Sequence, residues 1–455
     1  MNINLLHLTY FQHLLLKLLI LMFTLTILWM SSITLVFAQR HIYVSPTGDD
    51  RNSGNSKKPL KTISAVQEKV KYLLEESNED INVHLRPGNY YLKKTLEFDH
   101  SHSSGAGTTI RYISNHPGEA VIHSGVLAEN WVESEYEGIY KTQVKAIAPF
   151  RQLYVNGEKA VRSRYPDTGY LYSSGWDIAD RKLILQGGYG NLLYEVSDAE
   201  LVLFQSWAES YLRIKKATDI GLTTKFTEVE FQDREEQVLF NRPYPMHEDS
   251  HPYYFENALG FITEGREWYH DPTDQMLYYK PLPHEDIDAL SIVYPTLDTL
   301  VKITGTDDKP LENIEFEGVS FQYANWSYPS ENGYLNGQTG QHNYAATPDN
   351  QQFVKRPASA IYVANAKEVA FKNCVFKNLG ATGVDFHFGT QYCSVTGSSF
   401  SSISGNAISV GKFTQDESTE FHTPYNPSDQ REVSRYDTIS SNVITNVASD
   451  YFGCV

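Results

Sequence analysis

Short apolar strands separated by turns of Gly, Asn and Ser form three similar segments near the end of the chain. Residues 376–386 are followed by residues 400–410 and 444–452, and apolar side chains occur at the same places in each segment. Repeats of this length with alternating strands are typical of a right-handed parallel β-helix, in which each coil buries one face and stacks on its neighbours. The pattern therefore predicts an all-β fold with this solenoid architecture.

One helix is predicted ahead of the regular strands. Apolar residues between Ile63 and Leu74 follow the spacing of an amphipathic helix. Its start is capped by Thr62 or by Ser64, the latter with Gln67 in a capping-box pattern. We expect this helix to cover the open end of the first coil, because solenoids need caps.

The strand pattern changes in the middle of the chain, and this change predicts an insertion. Hairpins replace the regular coils, and the Asn156-Gly157 turn is a strong hairpin signal. The expected organisation is a signal peptide (1–38), an N-terminal cap with the first coil (39–125), an inserted β-rich domain (126–295) and the remaining coils (296–455). Because Val455 falls partway through the third matching coil, we expect the C-terminal coils to be truncated.

The N-terminus has the pattern of a secretion signal. Lys17 is the only charged side chain before Arg40, an apolar run follows it, and the Val-Phe-Ala sequence at 36–38 fits a cleavage site. Such a run is also long enough for an uncleaved membrane anchor. We expect cleavage, a secreted, periplasmic or cell-surface location, and no membrane contact afterwards.

Composition narrows the possible functions. The net charge of −17 argues against a nucleic-acid partner, because phosphate backbones are bound by basic surfaces. The high counts of 31 Tyr and 22 Phe favour strands over helices. The cysteines, Cys374, Cys393 and Cys454, show no CxxC or zinc-type spacing, so we expect buried free thiols and no metal site.

Carboxylates on the predicted coils are the candidate catalytic groups. Aligned coils place Tyr362, Asp385 and Ser409 in one solvent-facing ladder, and Asp450 at the edge of a neighbouring coil. Glycosidic bonds are usually cleaved between two carboxyl groups, one an acid and the other a base or nucleophile. We therefore expect Asp385 and Asp450 to form the catalytic pair, with His387 tuning proton transfer. The alternatives are that Asp385 is a solvated surface carboxylate, that Asp450 is a turn-forming aspartate and that His387 is a surface histidine.

Aromatic and basic side chains supply candidate sugar contacts. A long excursion between coils, residues 322–356, is rich in Trp, Tyr, Asn and Gln, and such side chains grip the apolar face and hydroxyl edge of a sugar. The candidate substrate-binding residues are Trp326, Tyr334, His342, Tyr362, Arg162 and Arg164. Alternatively, the aromatic residues pack the excursion onto the solenoid, and Arg162 and Arg164 form ion pairs with nearby acidic residues.

Several motifs occur in an order that resembles a known family. They are Tyr43-Val-Ser-Pro-Thr-Gly-Asp49, Arg86-Pro-Gly-Asn-Tyr-Tyr91, Arg151-Gln-Leu-Tyr-Val-Asn-Gly157, Glu267-Trp-Tyr269 and Leu379-Gly-Ala-Thr-Gly-Val384. Over nearly the whole mature length, the chain is similar to secreted right-handed β-helix proteins of the glycoside hydrolase family 141 type. This resemblance implies action on plant cell-wall polysaccharide, with α-L-fucosidase and xylanase activities in the family. Family members continue with further coils after the Asp-Tyr-Phe-Gly segment, so any catalytic carboxylate located there is absent from this chain.

The resulting hypothesis is a secreted, monomeric glycoside hydrolase that acts on plant cell-wall-type polysaccharide or oligosaccharide without a cofactor. Polysaccharide lyases share the solenoid, but they typically need Ca²⁺ and a basic side chain beside several acids, which the predicted ladder lacks. A non-catalytic carbohydrate-binding or adhesion module is the third alternative, and a fold alone decides among none of these.

Overall fold

The protein is described by a computed structural model at residues 17, 22, 39–103, 107–146, 148–194, 199–241, 247, 250–337, 340–346, 352–412 and 427–454. The predicted signal peptide therefore lies outside the described residues, apart from Lys17 and Met22. Residues 413–426 also lie outside them. Among the described residues, no helix is both long enough and apolar enough to cross a membrane.

Helices contribute little to the described part of the chain. The α-helices are α1 (Ile63–Glu76), α2 (Gly190–Tyr194), α3 (Asp233–Asn241) and α4 (Tyr328–Asn332). Short 3-10 helices occur at His100–His102, Leu259–Phe261, Ile287–Ala289 and Gln430–Glu432.

Helix α1 lies where its apolar spacing predicts it. The Thr62 hydroxyl caps it by accepting a hydrogen bond from the backbone N–H of Ala65 at 3.2 Å. Ser64 lies inside the helix, so the alternative cap at that residue was wrong. Val66 and Val70 are buried in the same apolar core as the parallel strands described below.

Strands account for most of the ordered backbone. They are β1 (Gln39–Val44), β2 (Asp80–Leu85), β3 (Gly88–Tyr91), β4 (Leu96–Phe98), β5 (Ile110–Ser114), β6 (Ala120–His123), β7 (Gly125–Leu127), β8 (Val132–Glu133), β9 (Tyr140–Gln143), β10 (Tyr154–Val155), β11 (Glu158–Lys159), β12 (Val161–Arg162), β13 (Arg164–Tyr165), β14 (Leu171–Asp177), β15 (Lys182–Gln186), β16 (Glu200–Gln205), β17 (Ala208–Ile220), β18 (Phe226–Phe231), β19 (Pro252–Glu256), β20 (Glu267–Asp271), β21 (Met276–Tyr279), β22 (Ile292–Pro295), β23 (Val301–Thr304), β24 (Leu311–Glu312), β25 (Ile314–Glu317), β26 (Val319–Ala324), β27 (Tyr334–Leu335), β28 (His342–Ala346), β29 (Gln352–Lys355), β30 (Ser359–Ala364), β31 (Ala366–Lys367), β32 (Ala370–Lys372), β33 (Val375–Leu379), β34 (Thr382–Phe388), β35 (Ser394–Thr396), β36 (Ser399–Ile403), β37 (Ile408–Val410), β38 (Thr438–Ser440) and β39 (Val443–Val447).

Three long sheets hold the largest apolar core. Their strand orders are β1-β2-β5-β25-β32-β35-β38, β3-β6-β26-β33-β36-β39 and β4-β23-β30-β34-β37. Successive strands along the chain belong to the three sheets in turn, as in β32-β33-β34 and then β35-β36-β37. Each strand therefore pairs in parallel with the corresponding strand of the next set. Apolar side chains from all three sheets meet in one core.

Phenylalanine rings form a column within this core. Phe321 pairs in register with Phe376, and Phe376 with Phe400. The ring centroids of these pairs lie 5.4 and 4.5 Å apart, and the rings are nearly parallel. Because all three side chains are fully buried, truncating one to Ala costs about 3–5 kcal/mol.

The prediction of a single right-handed parallel β-helix was wrong. The described strands fall into eight sheets, several of them antiparallel, and no single solenoid accounts for them. The predicted architecture was a solenoid interrupted by an inserted domain at 126–295, whereas Ile110 on β5 pairs with Ile314 on β25 and the strands between them form other sheets. The all-β character is the part of that prediction that the structure supports.

The middle of the chain forms three largely antiparallel sheets. Their orders are β11-β10-β22-β7, β12-β20-β21-β9-β8 and β13-β19-β14-β15-β18-β17-β16, with β27 paired to β17. Asn156 and Gly157, with positive φ angles of 52° and 80°, join β10 to β11 in the predicted hairpin. Two separate apolar clusters fill this region. The pairing of Leu335 with Ser210 ties the later excursion to it.

The three cysteines are buried free thiols, as predicted. Burial raises the pKa of Cys374, Cys393 and Cys454 to about 12 in each case. The thiols therefore stay protonated near neutral pH and are poor nucleophiles.

Candidate active site

Two cavities contain the residues that the sequence singled out. The first, called the Asp385 cavity, has a volume of about 310 Å³ and is lined by residues that include Asp298, Trp326, Tyr328, His342, Lys355, Arg356, Ser359, Tyr362, Asp385 and His387. The second, called the Asp450 cavity, has a volume of about 450 Å³ and is lined by residues that include Lys159, Arg162, Arg164, Tyr211, Tyr254, Glu256, Asp450 and Phe452.

Parallel pairing builds one wall of the Asp385 cavity. Tyr362 on β30 pairs with Asp385 on β34, which pairs with Ser409 on β37, so the predicted ladder has the expected register. Asp385 and His387 are only 3% and 5% exposed, however, and the prediction that they face open solvent was wrong. Residues from the 326–358 stretch close over this face and convert it into a cavity.

Asp385 is held by two basic side chains. One carboxylate oxygen accepts a hydrogen bond from the Arg356 guanidinium at 2.7 Å, and the other lies 3.0 Å from Nδ1 of His387. Contacts of this kind fix the orientation of the carboxylate. The expectation that the ladder lacks a basic neighbour was also wrong, because Arg356 arrives from the excursion.

Asp298 is a second carboxyl group in the same cavity. It lies between β22 and β23 and accepts hydrogen bonds from the backbone N–H of Ser327 at 3.2 Å and from its hydroxyl at 3.4 Å. Burial raises the pKa of Asp298, and the contacts with Ser327 offset this only in part. Asp298 therefore keeps its proton to a higher pH than an ordinary aspartate.

Polar groups without partners point to a ligand in the Asp385 cavity. His342 is 2% exposed, and neither of its ring nitrogens has a hydrogen-bond partner among the described residues. Burial lowers the pKa of His342 to about 3, so the imidazole is neutral and offers one donor and one acceptor. The hydroxyl of Ser359, which is 3% exposed, also lacks a described partner. Buried groups of this kind are usually satisfied by water or ligand.

Aromatic rings form the opposite wall. The Trp326 and Tyr328 rings are stacked with centroids 5.9 Å apart, and the Tyr328 and His342 rings lie 4.8 Å apart. Tyr334 packs behind them, is fully buried and lines neither cavity. Of the predicted substrate-binding residues, the structure therefore brings Trp326, His342 and Tyr362 together but leaves Tyr334 in the supporting layer.

The Asp450 carboxylate is already fully partnered. It accepts hydrogen bonds from Lys159, from Gln152 at 3.1 Å and from the Ser404 hydroxyl at 2.8 Å. Burial alone would raise the pKa of Asp450, but the Lys159 ammonium and these donors outweigh it and lower the pKa. Asp450 is thus held as an ion within the wall of its cavity.

A buried network of two arginines and two glutamates lies beside Asp450. Arg151 donates to Glu200 at 2.7 Å and to Glu256 at 2.8 Å, and Arg162 contacts the same two carboxylates. The Arg164 guanidinium lies 3.8 Å from the ring centroid of Tyr254. Arg162 and Arg164, predicted as substrate contacts, therefore line the Asp450 cavity and not the Asp385 cavity.

The structure does not bring Asp385 and Asp450 together. They line different cavities, with a buried aromatic cluster between them. Within that cluster the Tyr451 ring contacts Trp326 at 4.8 Å on one side and Tyr211 at 5.8 Å on the other. The repeat placed each aspartate correctly on its own strand or turn but contained no information about the loops that separate them.

Sequence reasoning missed Asp298, Arg356 and Ser359. Asp298 lies three residues before Val301, which pairs with Ile361 next to the ladder. Extending the ladder by one more strand would have indicated this neighbourhood. Arg356 carries no comparable signal, because its position depends on how the excursion folds back. Within the described part of the chain, no cluster of three or more His, Cys, Asp and Glu side chains is placed to hold a metal ion.

Comparison with known proteins agrees with these features. The family model described as the GH141 insertion domain matches residues 138–282. A solved structure titled "Glycoside hydrolase" is 26% identical, with a TM-score of 0.84 over 91% of this chain and 74% of that one. The uncharacterised protein YwoF of Bacillus subtilis (strain 168) is 34% identical over 97 residues, which are 21% of this chain and 18% of that protein.

These likenesses define the class as an all-β protein with the fold of a glycoside hydrolase. Residues 138–282 are similar to the GH141 insertion domain and the fold is similar to that of a glycoside hydrolase, so the resemblance expected from the motifs is confirmed. The matched segment spans less than a fifth of the length of the curated relative.

Proposed function

We propose that the protein hydrolyses glycosidic bonds of plant cell-wall-type polysaccharide in the Asp385 cavity. The observation that carries this proposal is the presence, in one cavity, of two carboxyl groups in opposite electrostatic settings. Asp298 is half-buried without a cationic partner among the described residues, whereas Asp385 is paired with Arg356. Glycosidic bonds are usually cleaved between two carboxyl groups, one serving as the acid and the other as the base or nucleophile.

Asp298 has the role of general acid. Its raised pKa keeps a proton available for the oxygen of the leaving sugar as the glycosidic bond breaks. Asp385, oriented by Arg356 and His387, either attacks the anomeric carbon or removes a proton from the water that does so. Arg356 and His387 position Asp385, and the proposal therefore keeps two of the residues expected from the sequence and replaces Asp450 by Asp298.

The remaining lining suits a neutral sugar ring. Trp326 and Tyr328 contribute aromatic rings to the lining, while the neutral imidazole of His342 and the hydroxyl of Ser359 offer donors and acceptors that lack described partners. The resemblance to family 141 supports a fucosylated or xylan-type substrate. A secreted, periplasmic or cell-surface location and a monomeric state belong to the same proposal.

The test is product analysis with the purified full-length chain. Xylan and a fucosylated xyloglucan are incubated with the wild type and with Asp385→Asn, and released reducing ends and monosaccharides are quantified. The proposal expects release by the wild type and loss of about 10²–10⁴ of the rate in the variant. Equal release by both proteins would contradict it, and binding without any release would favour a carbohydrate-binding module.

A polysaccharide lyase is the second candidate, because the Asp385 cavity does contain basic side chains. Lys355 and Arg356 line it beside Asp298 and Asp385. A lyase would remove the proton α to a uronate carboxyl group with such a base and leave an unsaturated sugar. Ultraviolet absorbance of unsaturated products from polygalacturonate separates the two candidates, since hydrolysis produces none.

A further inference from the structure

Four aromatic side chains form a continuous surface at the mouth of the Asp450 cavity. The rings of Tyr170, Phe204, Tyr254 and Phe452 follow one another, with centroid distances of 5.3 Å for Tyr170–Phe204, 6.1 Å for Phe204–Tyr254 and 6.2 Å for Phe204–Phe452. Tyr170 and Phe452 are 49% and 60% exposed. Tyr254 and Phe452 also line the cavity itself. Rings exposed at the edge of a polar cavity are a common way of gripping a sugar.

The charges in this cavity are balanced within its own walls. Lys159 is paired with Asp450, and Arg162 with Glu256 and Glu200. Arg164 lies over the Tyr254 ring and donates to two backbone carbonyls. An anionic ligand would have to compete with these internal carboxylates, so a neutral ligand with many hydroxyl groups fits the cavity better.

We infer that the Asp450 cavity is a non-catalytic binding site for a neutral oligosaccharide, separate from the Asp385 cavity. The ring of Phe452 is the stacking platform, because the guanidinium of Arg164 already covers a face of Tyr254. Lys159 and Asp450 line the same cavity with side chains that are 28% and 22% exposed, and the Lys159 ammonium contacts sugar hydroxyls. The site adds affinity for a longer chain and takes no part in bond cleavage.

Calorimetric titration of the full-length chain with xylohexaose tests the inference, using Asp385→Asn as a background that stops turnover. In that background Phe452→Ala is compared with Tyr172→Ala, which removes a ring that is 56% exposed and lies outside both cavities. The expected result is that Phe452→Ala weakens one binding event by about 3- to 10-fold, whereas Tyr172→Ala leaves both affinity and stoichiometry unchanged.

A conservative substitution at Phe452 controls for loss of binding through misfolding. Phe452→Trp keeps a stacking platform and is expected to retain the affinity that Phe452→Ala loses. Identical titrations for all variants would overturn the inference, since a single sugar site in the Asp385 cavity would then account for binding. Concentration-dependent dimers in sedimentation that vanish in Phe452→Ala, with no effect on xylohexaose affinity, would also overturn it and assign the aromatic surface to a second copy of the chain.

Discussion

The two cavities contain the same kinds of residue but differ in how far those residues satisfy one another. In the Asp450 cavity the carboxylate has three donors, and the arginines share two glutamates. In the Asp385 cavity a carboxyl group with a raised pKa, a neutral imidazole and a hydroxyl face the same space with few or no described partners. Arg162 Nε in the Asp450 cavity also lacks a described partner, but only the Asp385 cavity has side chains, His342 and Ser359, whose buried polar atoms all lack one. This difference, more than the presence of carboxylates, distinguishes a candidate reaction centre from a rigid wall.

The largest effect is expected at Asp298. Asp298→Asn removes the proposed proton donor and should lower kcat on natural oligosaccharides by about 10²–10⁴. An activated aryl glycoside needs little protonation of its leaving group, so the loss on that substrate should be far smaller. Steady-state kinetics on both substrates measure the contrast, with the exposed Asp180→Asn as the matched control. A uniform loss on both substrates would remove Asp298 from the acid role.

The next largest effect concerns stability beside the Asp450 cavity. Arg151→Ala leaves Glu200 and Glu256 buried with half of their cationic partners, and it should cost about 3–5 kcal/mol of unfolding free energy. Arg111→Ala, which breaks a partly exposed pair with Asp80, should cost about 1 kcal/mol or less. Urea unfolding measures both changes, and equal costs would show that the buried network is not the rigid element described here.

The sequence predicted the C-terminal strands well but predicted the Asp385 cavity only in part. Alternating apolar residues determined the pairing of Phe376 with Phe400 and of Asp385 with Ser409, because a register error would move every side chain to the wrong face. The same periodicity said nothing about the antiparallel sheets of the middle region, which depend on long-range pairings. It also could not place Arg356, because a loop is positioned by its tertiary contacts and not by a repeat.

A pH-dependent effect is expected at Glu209, next to the Asp450 cavity. The Tyr211 hydroxyl lies 2.9 Å from the Glu209 carboxyl and 2.5 Å from the backbone oxygen of Asp450, and its single proton serves only one of them. A protonated Glu209 that donates to the Tyr211 oxygen resolves this conflict. Burial raises the pKa of Glu209 from 4.5 to about 8.

The sign of the pH effect follows from proton uptake. Between these two pKa values the folded chain holds a proton on Glu209 that the unfolded chain has lost. The stabilisation is complete below pH 4.5 and is lost as the pH rises through 8, at up to about 1.4 kcal/mol per pH unit. Glu209→Gln should flatten the urea-unfolding profile between pH 5 and 8. An unchanged slope in that variant would show that Glu209 is ionised in the folded protein.

The smallest effects are expected from Ser359→Ala and Ser404→Ala, and they should differ in kind. Ser359→Ala removes a hydroxyl that has no described protein partner, so it should lower kcat/KM by about 2- to 10-fold with little change in stability. Ser404→Ala removes a donor to Asp450 and should do the reverse, costing roughly 1 kcal/mol of stability at unchanged kcat/KM. Kinetics and urea unfolding on both variants reveal the difference. Similar profiles would mean that the two cavities are not distinguished by their unsatisfied groups.

The most direct test of the account is a side-by-side measurement of kcat/KM for Asp385→Asn and Asp450→Asn on the substrate that the wild type hydrolyses. We expect kcat/KM to fall by about 10²–10⁴ for Asp385→Asn and to change by less than about 10-fold for Asp450→Asn. Circular dichroism should show that both variants are folded. The opposite ranking, with activity lost at Asp450 and kept at Asp385, would contradict the account and move the reaction to the Asp450 cavity.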